Sequence, residues 1–410
     1  MNQKKCRFCS TELKLSFCDL GMSPVSNSFV KPEGLIKGEI FYPLNAYVCQ
    51  NCFLVQIEEF SSPKEIFDDY AYFSSYSKTW LEHCQSYAIK MIKLYGLNKS
   101  RQVIEIASND GYLLKYFLGK GIPVLGIEPA QNVAKVAQEN GIKTLVKFFG
   151  KTTASELVSA NIRADLLIGN NVLAHVPDIN DFVTGMKLLL NPDGVITLEF
   201  PHILRLIEEN QFDTIYHEHF SYLSLLVVNK ILEYHGLVIF DVEEITTHGG
   251  SLRIYAQHID TGVKIVSGSV DALLLRESKF GLGGIERYIS FNDSVSKCKH
   301  ELLNYLIQVK QKNQSIVCYG AAAKGNTLLN YCGIRSDFID YVVDKSTYKQ
   351  GLYLPGTRLA INSPEKIRET KPDFILILPW NLKFEIMEQL NYIRDWGGKF
   401  IIPIPFVQVV

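Results

Sequence analysis

The stretch Val103-Ile-Glu-Ile-Ala-Ser-Asn-Asp-Gly111, followed by Tyr112-Leu-Leu-Lys-Tyr-Phe-Leu118, decides the fold class of this chain. Apolar residues flank Glu105, a turn of small and polar residues follows, and leucines and aromatics then recur at helical spacing, so a strand passes through a tight turn into a helix. In parallel α/β sheets such a turn is where nucleotides bind. About twenty residues on, the run VLGIEPA ends a second strand in Glu128, where a ribose-binding acid commonly sits. A dinucleotide fingerprint needs several glycines so that a pyrophosphate can approach the backbone, and here Ala107, Ser108 and Asn109 leave only Gly111. A nucleoside cofactor without phosphates needs no such cradle, so S-adenosylmethionine fits better than NAD. The alternative is an ordinary strand-to-helix turn.

Outward from this turn, strand and helix patterns alternate from Gln102 to about His258: VIEIA, VLGIE, TLV, DLLIGNN, GVITLEF, LVIFDVEE and SLRIYAQ read as strands. Residues 1–65 form a small unit with Cys6-x-x-Cys9 and Cys49-x-x-Cys52, separated by 39 residues. Four thiolates in two close pairs make a closed tetrahedral set suited to a structural Zn²⁺, with a redox role as the alternative. Residues 261–410 begin with a charged, helix-like connector and then repeat strand, small-residue turn and helix in SIVCYGAAAKGNTLLN, with Asp344 ending the next strand. This is a second Rossmann-like unit, in which Lys324 and the amides from Ala321 to Gly325 could hold a pyrophosphate; a purely buttressing role is the alternative.

The 410 residues suffice for two or three domains, and 42 basic against 43 acidic residues leave no basic footprint for nucleic acid. No apolar run reaches membrane-spanning length, so a soluble cytoplasmic protein is expected, with monomer the simplest state. Nine cysteines, an odd number, suit reduced thiols.

The densest polar cluster, Tyr216-His217-Glu218-His219, follows the strand VITLEF near the carboxyl ends of parallel strands. An imidazole titrating near neutrality, oriented by a neighbouring carboxylate, makes His219 a candidate general base; His-x-His metal binding and simple structural hydrogen bonding are the alternatives. The seven-strand pattern from Gln102, with its closing pair of strands, resembles the class I S-adenosylmethionine-dependent methyltransferase fold. The paired cysteines with DLGMSPVSNSF between them, YFSSYSKTW, EIASNDGYLL, YHEHFSYLS, HGGSLRIY, YGAAAKGNTLLN and VVDKSTYKQGLYLPGT occur together and in the order of a known family. Across nearly its whole length the chain resembles the sugar C-methyltransferases that act on nucleotide-linked 4-keto deoxysugars.

That resemblance implies a structural zinc on Cys6, Cys9, Cys49 and Cys52, and a methyltransferase domain over residues 66–260. It implies S-adenosylmethionine held by Glu105, Ala107, Ser108, Asn109, Gly111, Glu128, Asn170 and Asn171. It implies active-site roles for Tyr76, His175, Tyr216, Glu218 and His219, with His219 as base and Glu218 orienting it. The substrate would be a dTDP- or GDP-linked 4-keto-6-deoxy sugar methylated at C-3, with the carboxyl-terminal unit helping to hold the diphosphate; Lys324 and Asn326 are assigned there from local chemistry. O- or N-methylation of a small molecule, and a non-catalytic two-ligand protein, are the rival readings.

Overall fold

A computed structural model describes residues 4–60 and 78–410, in which three sheets are stacked along the chain. The first is antiparallel, ordered β1 (Leu15–Ser23), β2 (Tyr42–Val48), β3 (Val55–Ile57), β9 (Ser221–Tyr222). Its last strand comes from the middle of the sequence: Gln56 pairs with Ser221 and Val55 with Tyr222. The amino-terminal unit is therefore completed by the residues that directly follow the YHEH cluster.

The second sheet contains β4 (Val103–Ile106), β5 (Val124–Ile127), β6 (Thr144–Leu145), β7 (Ala164–Asn170), β8 (Leu190–Pro201), β10 (Leu237–Ile245) and β11 (Ser251–His258). Their order is β10-β11-β8-β7-β4-β5-β6, parallel except for β11, which runs antiparallel to both neighbours. Every residue of β4 and β5 is buried, as central strands covered by helices on both faces require. The seven strands match the seven runs read from the sequence. Cross-strand order reverses between β4 and β7, which puts the ligand crevice at the carboxyl end of β4. The helix after the turn is shorter than its pattern suggests, Leu114–Leu118, because residues 111–113 remain in the turn.

The third sheet, β14 (Ile361–Asn362), β13 (Val342–Val343), β12 (Ile316–Tyr319), β15 (Phe374–Ile377), β16 (Lys399–Ile402), β17 (Gln408–Val409), has the strand order of a dinucleotide-binding fold, with its switch point between β12 and β15. Two long helices, Gly268–Phe280 and Phe291–Gln311, with the short helix Glu286–Ile289 between them, form the connector. The first is capped by Ser267, whose side chain accepts the amide of Ser269, and stopped by Gly281 in the left-handed conformation (φ 101°).

The cores cross the sequence boundaries. Ile203, Leu204, Phe212, Ile215, Phe220 and Tyr222 pack in one cluster with β1, β2 and the third sheet, while the methyltransferase sheet has its own clusters. The segment from Ile203 to Tyr222 thus leaves the 66–260 unit to wedge between the other two.

Candidate active site and metal centre

The two cysteine pairs form matching knuckles. Ser10 and Phe53, each the residue after a second cysteine, adopt positive φ (60° and 68°) and donate their amides to the carbonyls of Cys6 and Cys49. This brings the four Sγ atoms within 4.8 Å of one another, with Cys6–Cys52 at 3.6 Å and Cys9–Cys49 at 3.5 Å. A tetrahedron with Zn–S bonds of about 2.3 Å has edges of about 3.8 Å, so the donor set fits zinc with no open position. Crowding splits the thiols: donation from its neighbours pulls Cys49 down, while Cys6 is pushed up to about 11, a conflict that a dication would remove.

The turn after β4 is built on residues in a backbone region that side chains rarely enter: Ala107, Asn109 and, on the neighbouring loop, Asn171 have φ of 57°, 49° and 54°. Such conformations cost energy and cluster at ligand sites. Glu128 holds the turn, its Oε2 accepting the amide of Asn109 and its Oε1 that of Ala130, both at 2.9 Å. Gly111 has φ 78° and lies so close to Ile142 that a Cβ would meet it at 2.8 Å. Around this turn Ser108 Oγ, Asn170 Oδ1 and Asn171 Oδ1 are buried without hydrogen-bond partners among the described residues. Orphaned polar atoms lining a strained turn fit a polar nucleoside ligand. Glu105 stands behind them, fully enclosed, its carboxyl raised well above the ordinary range by burial despite a nearby Tyr112 hydroxyl.

The structure brings His175, Tyr216 and His219 together. The His175 and His219 rings are 4.7 Å apart, and His219 lies 4.1 Å from the ring of Tyr216. His219 Nδ1 donates to the carbonyl of Thr214 (3.0 Å), which fixes the tautomer, and Nε2 accepts from the Tyr216 phenol (2.8 Å). His175 Nδ1 donates to the carbonyl of Glu218 (2.5 Å). Burial, with His175 adding to it, drives the His219 pKa well below 6.5, and burial takes His175 to about 4, so both imidazoles are neutral, with a free ring nitrogen, at physiological pH.

Glu218 departs from its expected part. Its Oε1 accepts the backbone and side-chain N–H groups of Asn27, both at 3.1 Å, so it anchors the amino-terminal loop, and Thr214 orients His219 in its place. Asn326 is buried and donates to the carbonyl of Ser26 in the amino-terminal unit, while its Oδ1 has no hydrogen-bond partner among the described residues. Tyr76 lies outside the described residues.

Lys324 lies near enough to the histidine cluster to act on the charge of His219. Its Nζ bonds Asn381 Oδ1 (2.8 Å) and lies 4.8 Å from the Trp380 ring centroid, at the switch point of the third sheet. Trp380 Nε1 donates to Asp213 (2.7 Å), whose carboxyl burial pushes up to about 6 against the pull of Lys324. Trp380 is pressed against the β10–β11 connection, where a Cβ on Gly249 would meet its ring at 2.7 Å. His248 on that connection packs edge-on against Trp80 (5.6 Å), which is 6.1 Å from Tyr112 beyond the cofactor turn. Lys324 and His248 lie close enough to His219 to lower its pKa, and Lys324 lowers that of His248, burial being the larger cause for both histidines. Sequence reasoning missed Asp213, His248, Trp380 and Asn381; their signal was position alone, in connections between elements whose partners are distant in the chain.

Comparison with known proteins agrees with this architecture. Residues 6–67 match a zinc binding domain family, residues 80–242 a methyltransferase domain, and residues 246–405 the C-methyltransferase C-terminal domain. The chain is 32% identical over 406 residues to the C-methyltransferase NovU of Streptomyces niveus, covering 99% of this chain and 96% of that one. A ubiquinone biosynthesis O-methyltransferase of Azorhizobium caulinodans is 27% identical over 24% of this chain and 39% of its own. Among solved structures, magnesium protoporphyrin IX methyltransferase from Synechocystis, with 15% identity, spans 43% of this chain and 82% of its own at a TM-score of 0.35. With the zinc knuckles, the seven-stranded sheet and a match along its full length, this chain belongs to the C-methyltransferase family, built on a class I S-adenosylmethionine-dependent fold.

Proposed function

We propose that the protein transfers a methyl group to C-3 of a nucleotide-linked 4-keto-6-deoxy sugar, dTDP or GDP being the carrier, through an enolate generated by His219. The observation that carries this reading is the neutral His219 imidazole, with Nδ1 pinned by Thr214, Nε2 directed at a phenol, and His175, His248 and Lys324 close enough to act on its charge. Carbon beside a ketone loses a proton at a useful rate only if a base meets the C–H and donors meet the carbonyl oxygen. His219 Nε2 takes the proton. The Tyr216 phenol, released from Nε2, donates to the developing oxyanion, and the adjacent His175 lines the same space. S-adenosylmethionine, when bound, supplies the electrophilic methyl group. Residues of the turn, Ala107, Ser108, Asn109 and Gly111, with Asn170 and Asn171, would hold it, and Glu128 would take the ribose on lone pairs left after bonding Asn109 and Ala130.

Lys324 offers the cleft a cation for the diphosphate, with Trp380 beside it. A polar anion and a sugar suit this wall better than an apolar acceptor. The test is mass spectrometry of the full-length protein incubated with S-adenosylmethionine and a panel of keto nucleotide sugars. A gain of one methylene on a dTDP- or GDP-linked 4-keto sugar, with the methyl on carbon by NMR, is expected; methylation only on oxygen or nitrogen would overturn it.

A further inference from the structure

Arg7 sits between two zinc ligands, Cys6 and Cys9, yet its side chain reaches the loops that carry both histidines. Nη1 donates to the carbonyl of Pro177, two residues beyond His175 (2.7 Å). Nη2 donates to the carbonyl of Ile57 (2.6 Å), whose amide bonds Phe220, the residue after His219. The guanidinium also lies 5.4 Å from the Phe220 ring centroid. The Arg7 backbone ties back to the knuckle: its amide donates to Gln56 Oε1 (2.8 Å), and Gln56 Nε2 donates to Cys6 Sγ (3.3 Å) while Gln56 pairs with Ser221. From the opposite side, Asn180 donates to the Arg7 carbonyl (3.2 Å) and fixes the helix that follows the His175 loop.

We infer that Arg7 is a positioning residue that sets the spacing of the His175 and His219 loops, so that the zinc knuckle governs the geometry of the base. A forked guanidinium can serve two carbonyls in fixed directions, which an ammonium cannot. Without Arg7 the loops keep their chain connections but lose the guanidinium that bonds the Pro177 carbonyl. The inference rests on His219 as base, and it moves the zinc unit from a passive appendage to the scaffold of the active site.

The test compares full-length wild type, Arg7→Met and Arg7→Lys by zinc content, cofactor affinity, steady-state kinetics and ¹⁵N imidazole spectra of His175 and His219. In Arg7→Met, zinc stays at one per chain and cofactor affinity stays within about threefold, while kcat falls about 10- to 100-fold, as outer-shell supports of a site usually require. The imidazole resonances move, and Arg7→Lys, which can reach one carbonyl, falls between the two. Arg7→Lys decides the matter on the same criteria if Arg7→Met does not fold. A kcat within about threefold of wild type with unmoved imidazole resonances overturns the inference, as does a loss of kcat that tracks zinc loss while those resonances stay put. If wild type methylates no keto nucleotide sugar, the proposed chemistry fails, and the imidazole spectra still decide whether Arg7 positions the histidines.

Discussion

The two Rossmann-like sheets solve the same local problem in the same way and leave different spaces behind. In the methyltransferase sheet the acid ending the second strand, Glu128, accepts the amide of Asn109 in the first turn and of Ala130 two residues on. In the carboxyl-terminal sheet Asp344 accepts the amide of Ala321 in its first turn and of Ser346 two residues on. Beyond that the turns diverge. Around Glu128 the backbone is strained at Ala107 and Asn109, and buried polar atoms lack partners. Around Asp344, Lys349 closes the position, its Nζ 2.8 Å from the Ala321 carbonyl and 4.0 Å from the carboxylate. The first turn thus leaves polar atoms without partners while the second is filled by its own side chain, with Lys324 one helical turn on.

If the chemistry lies between the two turns, the largest loss comes from a residue in neither. His219→Ala should lower turnover about 10²- to 10⁴-fold, the usual range for a lost general base, with cofactor affinity intact. Kinetics paired with calorimetry checks this, and normal turnover would remove the base from the account. Glu128→Ala should weaken S-adenosylmethionine binding about 10- to 100-fold, since two amides of the turn lose a charged acceptor worth about 1–3 kcal/mol each. Asp344→Ala should lower the melting temperature and leave cofactor affinity within about twofold, because Asp344 bonds amides of Ala321 and Ser346 in the carboxyl-terminal sheet and not the cofactor turn. Equal effects of the two substitutions on cofactor binding would break the comparison.

The smallest effect concerns pH. The His219 pKa is held well below 6.5 by burial and by His175, so the free base persists as pH falls through the ordinary imidazole range. The acid limb of kcat/KM should therefore lie below 6.5, and a limb centred at or above that value would show that His219 is not the titrating base.

Much of this was legible in the sequence. All seven strands of the middle sheet were, because period and turn residues are local signals. So were the four cysteines and the grouping of His175, Tyr216 and His219, the last through a family resemblance. What local patterns could not carry was pairing across sheets. Ser221–Tyr222 reads as part of the middle unit and becomes a strand of the first sheet by pairing antiparallel with β3. Glu218 lies beside His219 in sequence, yet its carboxylate goes to Asn27, nearly two hundred residues away. The adjacent carbonyl of Thr214, which any residue type would supply, orients the base instead. Backbone groups leave no mark in a sequence.

The central claim is that His219 removes a proton from carbon. Solvent deuterium wash-in at the carbon beside the ketone, followed by NMR on the keto nucleotide sugar with wild type and His219→Ala, tests it most directly. The account predicts exchange with wild type and none above background with the variant; equal exchange by both, or methylated product formed by wild type without loss of that hydrogen, would contradict it.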